Sequence, residues 1–495
     1  MPGRATGALV NTSRPAPRSG GVVGILALAG IVAAITQTLV VPLIAELPAI
    51  LGTSSSNASW VITATLLAAA VATPVAGRLG DMFGKRRMLL ASLVPLIAGS
   101  VVCALSSSVV PMIVGRGLQG LGMGVVPLGI SLLRDVVPAE KLGSSIAVMS
   151  ASMGVGGALG LPFAAAIAEN SSWRVLFWVV AALSLAIGAL IWFLVPGDAK
   201  GKTSQGFDVL GAIGLGIALI CLLLGVSKGA DWGWGSGTTL GLLGASVLVL
   251  LVWGRWELRT TDPLVDLRVT ARPQILLTNA ASILIGFSMY AQSLVVPQLF
   301  QLPEATGYGL GQSMLAMGLW MAPAGLMMMI MSPVGAKVSA AKGPKVTLAI
   351  GALIISLGYG LAVPMIDGGS TWSLLVVTLV CNTGVGFAYG AMPALIMGAV
   401  PQSETASANS FNTLMRSIGS SLAAAVIGVV MAQMTTDFGG HALTTAAGFR
   451  AAMLIGCGVA LAAAVIAVLI PVRASALKDP LGAEPAMPEV TAAKA

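Results

Sequence analysis

Runs of about twenty apolar residues, broken by short polar or charged turns, recur along nearly the whole chain. A helix advances about 1.5 Å per residue, so each run matches a hydrocarbon layer about 30 Å thick. Fourteen runs are therefore predicted as membrane-spanning helices, near residues 21–44, 58–77, 88–106, 110–131, 144–167, 174–195, 208–227, 237–255, 274–298, 309–332, 346–364, 372–399, 405–432 and 449–471. The arm 1–20, with Arg4, Arg14 and Arg18 among Pro and Ser, reads as disordered, as does the tail 472–495. No cleavable signal peptide is expected. The first run is long enough to span, and its basic flank fits a start on the cytoplasmic side.

Composition agrees with the pattern. Hydrophobic residues make up 56% of the chain and charged residues 9%, against roughly 25% charged in soluble domains. The lipid bilayer is thus the expected solvent. The net charge of +8 has a topological reading. With the N-terminus inside, 21 of the 26 Lys and Arg fall on the cytoplasmic side, whereas Arg174, Lys228 and Arg450 fall outside and Arg116 and Arg416 fall within spans. This bias predicts cytoplasmic N- and C-termini in a multi-pass protein of the cell membrane. No basic–aromatic stripe points to nucleic acid. No Gly-x-x-x-x-Gly-Lys-Ser/Thr segment points to a nucleotide. The four cysteines lie inside apolar runs and read as packing residues, and His441 stands without a metal-ligand set.

The most informative segment is the charged turn Thr73-Pro-Val-Ala-Gly-Arg-Leu-Gly-Asp-Met-Phe-Gly-Lys-Arg-Arg87. A weaker copy returns as Ser332 to Lys345, pairing Thr73 with Ser332, Pro74 with Pro333, Arg78 with Lys337 and Gly84 with Gly343. A charged turn repeated between apolar spans predicts two related membrane halves, the architecture of a secondary transporter. The expected organisation is a six-helix bundle over 21–195, a two-helix insert over 208–255, a cytoplasmic connector over 256–273 and a second six-helix bundle over 274–471. Small-xxx-small pairs at Gly120/Gly124, Gly156/Gly160 and Gly386/Gly390 predict close helix contacts.

Four motifs resemble those of the major facilitator superfamily, in its fourteen-spanner drug/proton antiporter branch. They are Gly77-Arg-Leu-Gly-Asp-Met-Phe-Gly-Lys-Arg-Arg87 after the second span, Arg116-Gly-Leu-Gln-Gly-Leu-Gly-Met-Gly124 in the fourth, Gly154 to Pro162 in the fifth and Trp173-Arg-Val-Leu-Phe177 opening the sixth. Phe207-Asp208 and Asp231-Trp-Gly-Trp234 also fit that branch, and the likeness runs from about residue 21 to 471. The resemblance implies an all-α polytopic membrane protein with the major facilitator fold. It implies export of small molecules in exchange for protons, with no cofactor beyond the proton gradient. Two positions depart from the branch. The fifth-span motif reads Gly160-Leu-Pro162 where Gly is usually followed directly by Pro, and Ala33 stands where an Asp is common.

Candidate residues follow from charge and polarity in an apolar background. Gly77, Arg78, Asp81, Gly84, Arg86 and Arg87 are expected to form a latch at the cytoplasmic mouth. In it Arg78, Asp81 and Arg87 relay charge, and Asp81 accepts from a neighbouring helix end. Arg116, with Gln119 on its face, and Arg416 are intramembrane cations and hence coupling candidates, because an embedded charge is costly to keep. Glu46, Glu169, Glu304 and Asp135 are the proton-binding candidates. Thr36, Gln37, Asn279, Tyr290, Gln292, Trp320, Asn382, Tyr389, Asn409 and Asn412 are candidates for a substrate cavity, with bonding between helices the alternative for Asn409 and Asn412. Gly156, Gly160 and Pro162 are expected to set the shape of the fifth span. The expected function is proton-coupled export of apolar or amphipathic small molecules. A dedicated metabolite exporter or an uncoupled carrier is the alternative. A sensor or membrane enzyme is remote, since no catalytic constellation is visible.

Overall fold

The computed structural model describes residues 19–40, 43, 47–197, 206–366, 370–438 and 441–471. All but the last two residues of the predicted arm, and the predicted tail, lie outside them. Among the described residues, fourteen helices are long and apolar enough to cross a membrane. They are α1 (Ser19–Thr38), α2 (Ser55–Phe83), α3 (Lys85–Leu105), α4 (Val109–Val136), α5 (Ala139–Asn170), α6 (Arg174–Leu194), α7 (Val209–Trp232) and α8 (Gly237–Glu257). Then follow α9 (Pro273–Gln301), α10 (Met314–Lys342), α11 (Pro344–Met365), α12 (Thr371–Met397), α13 (Thr405–Gln433) and α14 (Ala446–Leu469). A helix satisfies its own backbone in lipid, which is why the apolar runs all take this form.

Polar residues punctuate the helices. The side chains of Ser54, Asp208, Ser236, Ser313 and Thr445 accept N-terminal amides of α2, α7, α8, α10 and α14. Pro273 and Pro344 occupy first turns, where their missing N–H costs nothing. Several helices outrun their predicted spans. For example α5 covers 139–170 rather than 144–167, since polar ends stay helical beyond the apolar stretch. A 3-10 turn at Gly122–Gly124 interrupts α4. A short hairpin, β1 (Thr435–Phe438) with β2 (His441–Thr444), occupies the loop between α13 and α14 that carries His441.

Two apolar cores divide the helices. One is built from α1 to α6, around Leu26, Leu89, Leu128 and Phe177; the other from α9 to α14, around Phe300, Tyr359, Met392 and Phe449. Large apolar side chains such as Leu185, Phe193, Leu357 and Leu469 point outward, as lipid-facing surfaces require. The two bundles meet along two seams, α2 against α13 and α5 against α10. Counting spans, α2 corresponds to α10 and α5 to α13, so one seam is the counterpart of the other. The repeated turn is also visible in the backbone. Gly84 and Gly343 both take positive φ, +103° and +88°, between α2 and α3 and between α10 and α11. That conformation strains any residue with a Cβ. In the insert, α7 pairs with α8 and lies against both α2 and α13, with Leu215, Leu219 and Leu223 near Ala70 and Leu414.

Small residues set the tightest approaches. A methyl at Gly419 of α13 would strike the Ile283 carbonyl of α9, with the carbonyl carbon 2.8 Å away, while one at Gly428 meets nothing within 4 Å. Backbone cannot yield as a side chain can, and overpacking costs about 1–3 kcal/mol. Gly419→Ala is expected to lower the melting temperature in detergent by several degrees, and Gly428→Ala to leave it unchanged or raised. Equal melting of the two variants would contradict the α9–α13 contact.

Candidate functional site

The face carrying the 84 and 343 turns, with most of the Lys and Arg, is called the basic face below. There the latch residues take positions that differ in part from expectation. The Asp81 carboxylate accepts hydrogen bonds from the first amides of α13, Ala406 N at 3.0 Å and Ser407 N at 2.7 Å. A carboxylate at a helix N-terminus meets both free N–H groups and the positive end of the helix dipole. The helix amides are the acceptor's partners, while Arg78 of the expected relay is placed elsewhere. Arg78 makes no bond to Asp81. It is buried, its Nε has no partner, and it faces a cavity of about 100 Å³ beneath the connector. Asn279 Nδ2 and Ser407 Oγ, also unpartnered, line the same cavity with Asp262, Asp266 and Glu404. Arg78 and Asp81 lie three apart on one helix, but their side chains diverge, one toward the connector and one toward α13.

The rest of the turn locks neighbouring helices. Lys85 forms a salt bridge with Asp135 of α4 at 2.8 Å, and Asp135 also accepts from Gln402 Nε2 at 2.9 Å. Arg86 donates to the Ile191 carbonyl (3.4 Å) and the Trp192 carbonyl of α6, over the Trp192 ring. Gly77 lets α2 touch α13: a methyl there would fall 2.7 Å from the Ala406 carbonyl and against Ser410. Further bonds cross between the bundles. Arg134 Nη1 donates to Thr405 Oγ1 (2.7 Å) and to the Val400 carbonyl (3.3 Å), Ser131 Oγ to the Thr405 carbonyl (3.2 Å), and Ser332 Oγ to the Ala147 carbonyl (2.7 Å). All of these crossing bonds lie in the basic half. Sequence reasoning missed Ser131 and Arg134, because neutral and carbonyl acceptors far along the chain carry no sequence signature, and missed Lys85, whose acid partner Asp135 stands on another helix 50 residues on.

Deeper in, Arg116 is 1% exposed. Its Nε donates to the Val61 carbonyl of α2 at 3.2 Å, and its Nη1 to the Thr36 carbonyl of α1 at 2.8 Å and to Gln119 Oε1 at 2.7 Å. Gln119 Nε2 in turn donates to Ser100 Oγ of α3 at 2.8 Å. The expected coupling cation therefore meets only neutral acceptors and ties four helices of one bundle together. Thr36 Oγ1 bonds its own helix, while Gln37 is exposed, with Nε2 3.5 Å from Met123 Sδ.

In the second bundle the expected polar face of α13 splits among three neighbours. Asn409 Nδ2 reaches Ser131 Oγ of α4 at 3.4 Å, Asn412 Nδ2 reaches Asn279 Oδ1 (2.9 Å) and Ser282 Oγ (2.7 Å) of α9, and Arg416 lies over the Tyr389 ring of α12, 4.7 Å from its centroid. Asn409 and Asn412 thus take the alternative left open, bonding between helices. Tyr389 Oη donates to Met289 Sδ and Asn382 Nδ2 to its own helix at Thr378, both at 2.9 Å. Gln292 is buried and Tyr290 half-buried on α9, and Trp320 stacks edge-on against the exposed Trp372. The fifth-span motif packs two ways: Gly156 against Ile31 and Ala34 of α1, Gly160 against Thr38, and Pro162 against Gly318 of α10.

The carboxylate candidates do not converge. Glu46 lies outside the described residues, and Glu169 is on α5 with its side chain outside them. Glu304 sits exposed in a 3-10 turn after α9, contrary to a cavity-facing role. Asp135 is engaged with Lys85. Sequence reasoning also missed Glu257, 1% exposed at the end of α8, where it accepts from Val265 N at 3.4 Å and so pins the connector.

Two six-helix bundles, an insert and a polar seam of this kind can be set beside known proteins. The family model described as Major Facilitator Superfamily matches residues 26–424. The chain belongs to the major facilitator superfamily. Within that superfamily it is 28% identical to the tetracenomycin C resistance and export protein of Streptomyces glaucescens, over 78% of this chain and 70% of that one. It is 26% identical to multidrug resistance protein 3 of Bacillus subtilis, over 84% and 80%. An uncharacterized MFS-type transporter of Mycobacterium tuberculosis is 29% identical over 84% of this chain, which spans 60% of that relative's length. The fold of the human organic anion transporter TETRAN superposes with a TM-score of 0.63 at 15% identity, covering 91% of this chain and 100% of that one. Among the described residues fourteen helices are long and apolar enough to cross a membrane, and the relatives include a resistance and export protein and a multidrug resistance protein.

Proposed function

We propose that the protein is a proton-coupled exporter of amphipathic small molecules, working by alternating access in the plasma membrane with its basic face and both termini in the cytoplasm. The observation that carries this is the closed seam on the basic face, where one carboxylate, Asp81, holds the first amides of a helix in the opposite bundle. Protonating Asp81 removes the charge that favours this contact, which gives the proton gradient a direct hold on the gate. The tetracenomycin C resistance and export protein and the multidrug resistance protein among its relatives support outward transport of small molecules. The Lys and Arg distribution supports the orientation.

A second reading, an uncoupled carrier, is favoured by the absence of Asp and Glu from the middle of any span. Proteoliposomes loaded with a pH dye and a panel of fluorescent amphiphiles separate the two. Under the proposal, an imposed pH gradient speeds dye movement, protons move in return, and a protonophore removes both effects. Dye flux indifferent to the gradient would establish the uncoupled carrier instead.

A further inference from the structure

We infer that the transported molecule carries an anionic or strongly electron-rich acidic group, and that Arg416 is the residue that selects it. This rests on the exporter reading above and names its substrate class. The first observation is the charge inventory of the interior. Arg116 and Arg416 stand well inside α4 and α13, whereas every Asp and Glu of the chain lies outside the spans or within the terminal turn of one, as Asp81, Asp135, Glu140, Glu257 and Glu404 do. The water-poor middle of the molecule therefore holds fixed positive charge and no fixed negative charge. In such surroundings the sign of a guest's charge decides whether it enters.

The second observation separates the two cations. Arg116 is satisfied by two carbonyls and an amide oxygen. Arg416, 6% exposed, meets only hydroxyl and aromatic partners: Nη2 donates to Thr413 Oγ1 at 3.3 Å, and the guanidinium lies against the Tyr389 ring and hydroxyl. A guanidinium carries five N–H donors and is built for bidentate recognition of a planar anion. With no carboxylate and no carbonyl among its side-chain partners, this one keeps its fork for an acceptor that arrives with the cargo. The backbone holds it in place. Arg416 presses against Gly286 of α9, where a methyl would fall on its carbonyl, and Tyr389 fixes its plane from α12. Thr413 and Ser420 add hydroxyls on the same helix, Ser420 Oγ lying 3.3 Å from the Gly286 carbonyl.

Carboxyfluorescein and rhodamine 6G share a xanthene core and differ in the sign of their charge. In proteoliposomes of the full chain, the wild type should move carboxyfluorescein at least tenfold faster than rhodamine 6G. Arg416→Gln should erase that preference, and Arg416→Lys, which keeps the charge but not the fork, should keep it in part. Binding of each dye to the purified protein, by fluorescence anisotropy, provides a readout independent of flux and of gating, and size-exclusion profiles confirm folding. Faster movement of rhodamine 6G by the wild type would overturn the inference and leave the exporter reading standing. So would an anion preference unchanged in a folded Arg416→Gln. Carboxyfluorescein binding that depends on Arg416, with neither dye moved, would support the inference and count against export. Neither dye bound nor moved would overturn both.

Discussion

Replacing Arg116 with leucine is expected to abolish transport and to lower the stability of the protein by about 1 kcal/mol, summing its two interhelical hydrogen bonds at membrane-typical strength. The side chain ties the Thr36 carbonyl of α1, the Val61 carbonyl of α2 and, through Gln119, Ser100 of α3 to α4. Leucine fills part of the volume and supplies none of these donors. The six helices of this bundle must move as one body if a tilt is to open one face and shut the other. Cutting the brace lets them move singly, so flux should fall further than stability alone would require. Arg116→Lys should fall between, since a single ammonium cannot span the same acceptors. Thermal melting in detergent and flux at equal protein check both parts. A leucine variant that melts normally and transports normally would remove the brace from the mechanism.

Asp81→Asn should cut transport at least tenfold while leaving expression and melting close to wild type. The carboxylate accepts two amides at the start of α13, and a charged acceptor contributes about 1.5–3 kcal/mol per bond against roughly 1 for a neutral one. Asparagine can accept from one amide but turns N–H toward the other. A loss of about 2 kcal/mol from the closed state alone shifts its balance with the open state by roughly 30-fold. Because the contact lies between bundles, neither core is disturbed and folding should survive. Vesicle flux per molecule is the measure, and normal flux in Asp81→Asn would exclude the seam as a gate.

The fold was legible because its cause is local. An apolar stretch of sufficient length in lipid has one inexpensive conformation, and turn glycines such as Gly84 and Gly343 announce where the chain reverses. Asp81 was conspicuous too, an acid beside glycines and basic residues at a helix end. Its partners were not. The amides of Ala406 and Ser407 stand more than 300 residues away, and a backbone N–H looks the same in every residue. Arg116 was visible as an embedded charge, yet whether it would meet carbonyls or a carboxylate depends on how α1 and α2 cross α4. The spacing of Asn409, Asn412 and Arg416 on α13 was visible; that each reaches a different helix follows from where α4, α9 and α12 surround it. The short hairpin of β1 and β2 carries no apolar alternation long enough to announce itself.

The two seams are counterparts in space but not in chemistry. At the position equivalent to Asp81 the second copy has Ala340, and the α5–α10 seam is held by close approach of Gly154, Gly318 and Gly325 with one hydroxyl, Ser332, reaching Ala147. Dispersion between smooth surfaces resists separation but tolerates rotation, whereas a carboxylate on a helix end is either engaged or released. The molecule therefore resembles a book with a spine along α5 and α10 and a single clasp at α2 and α13. Under the proposed alternating access, salt and acidity would act on the clasp and leave the spine indifferent, and a lopsided swing would cost less than symmetrical parting.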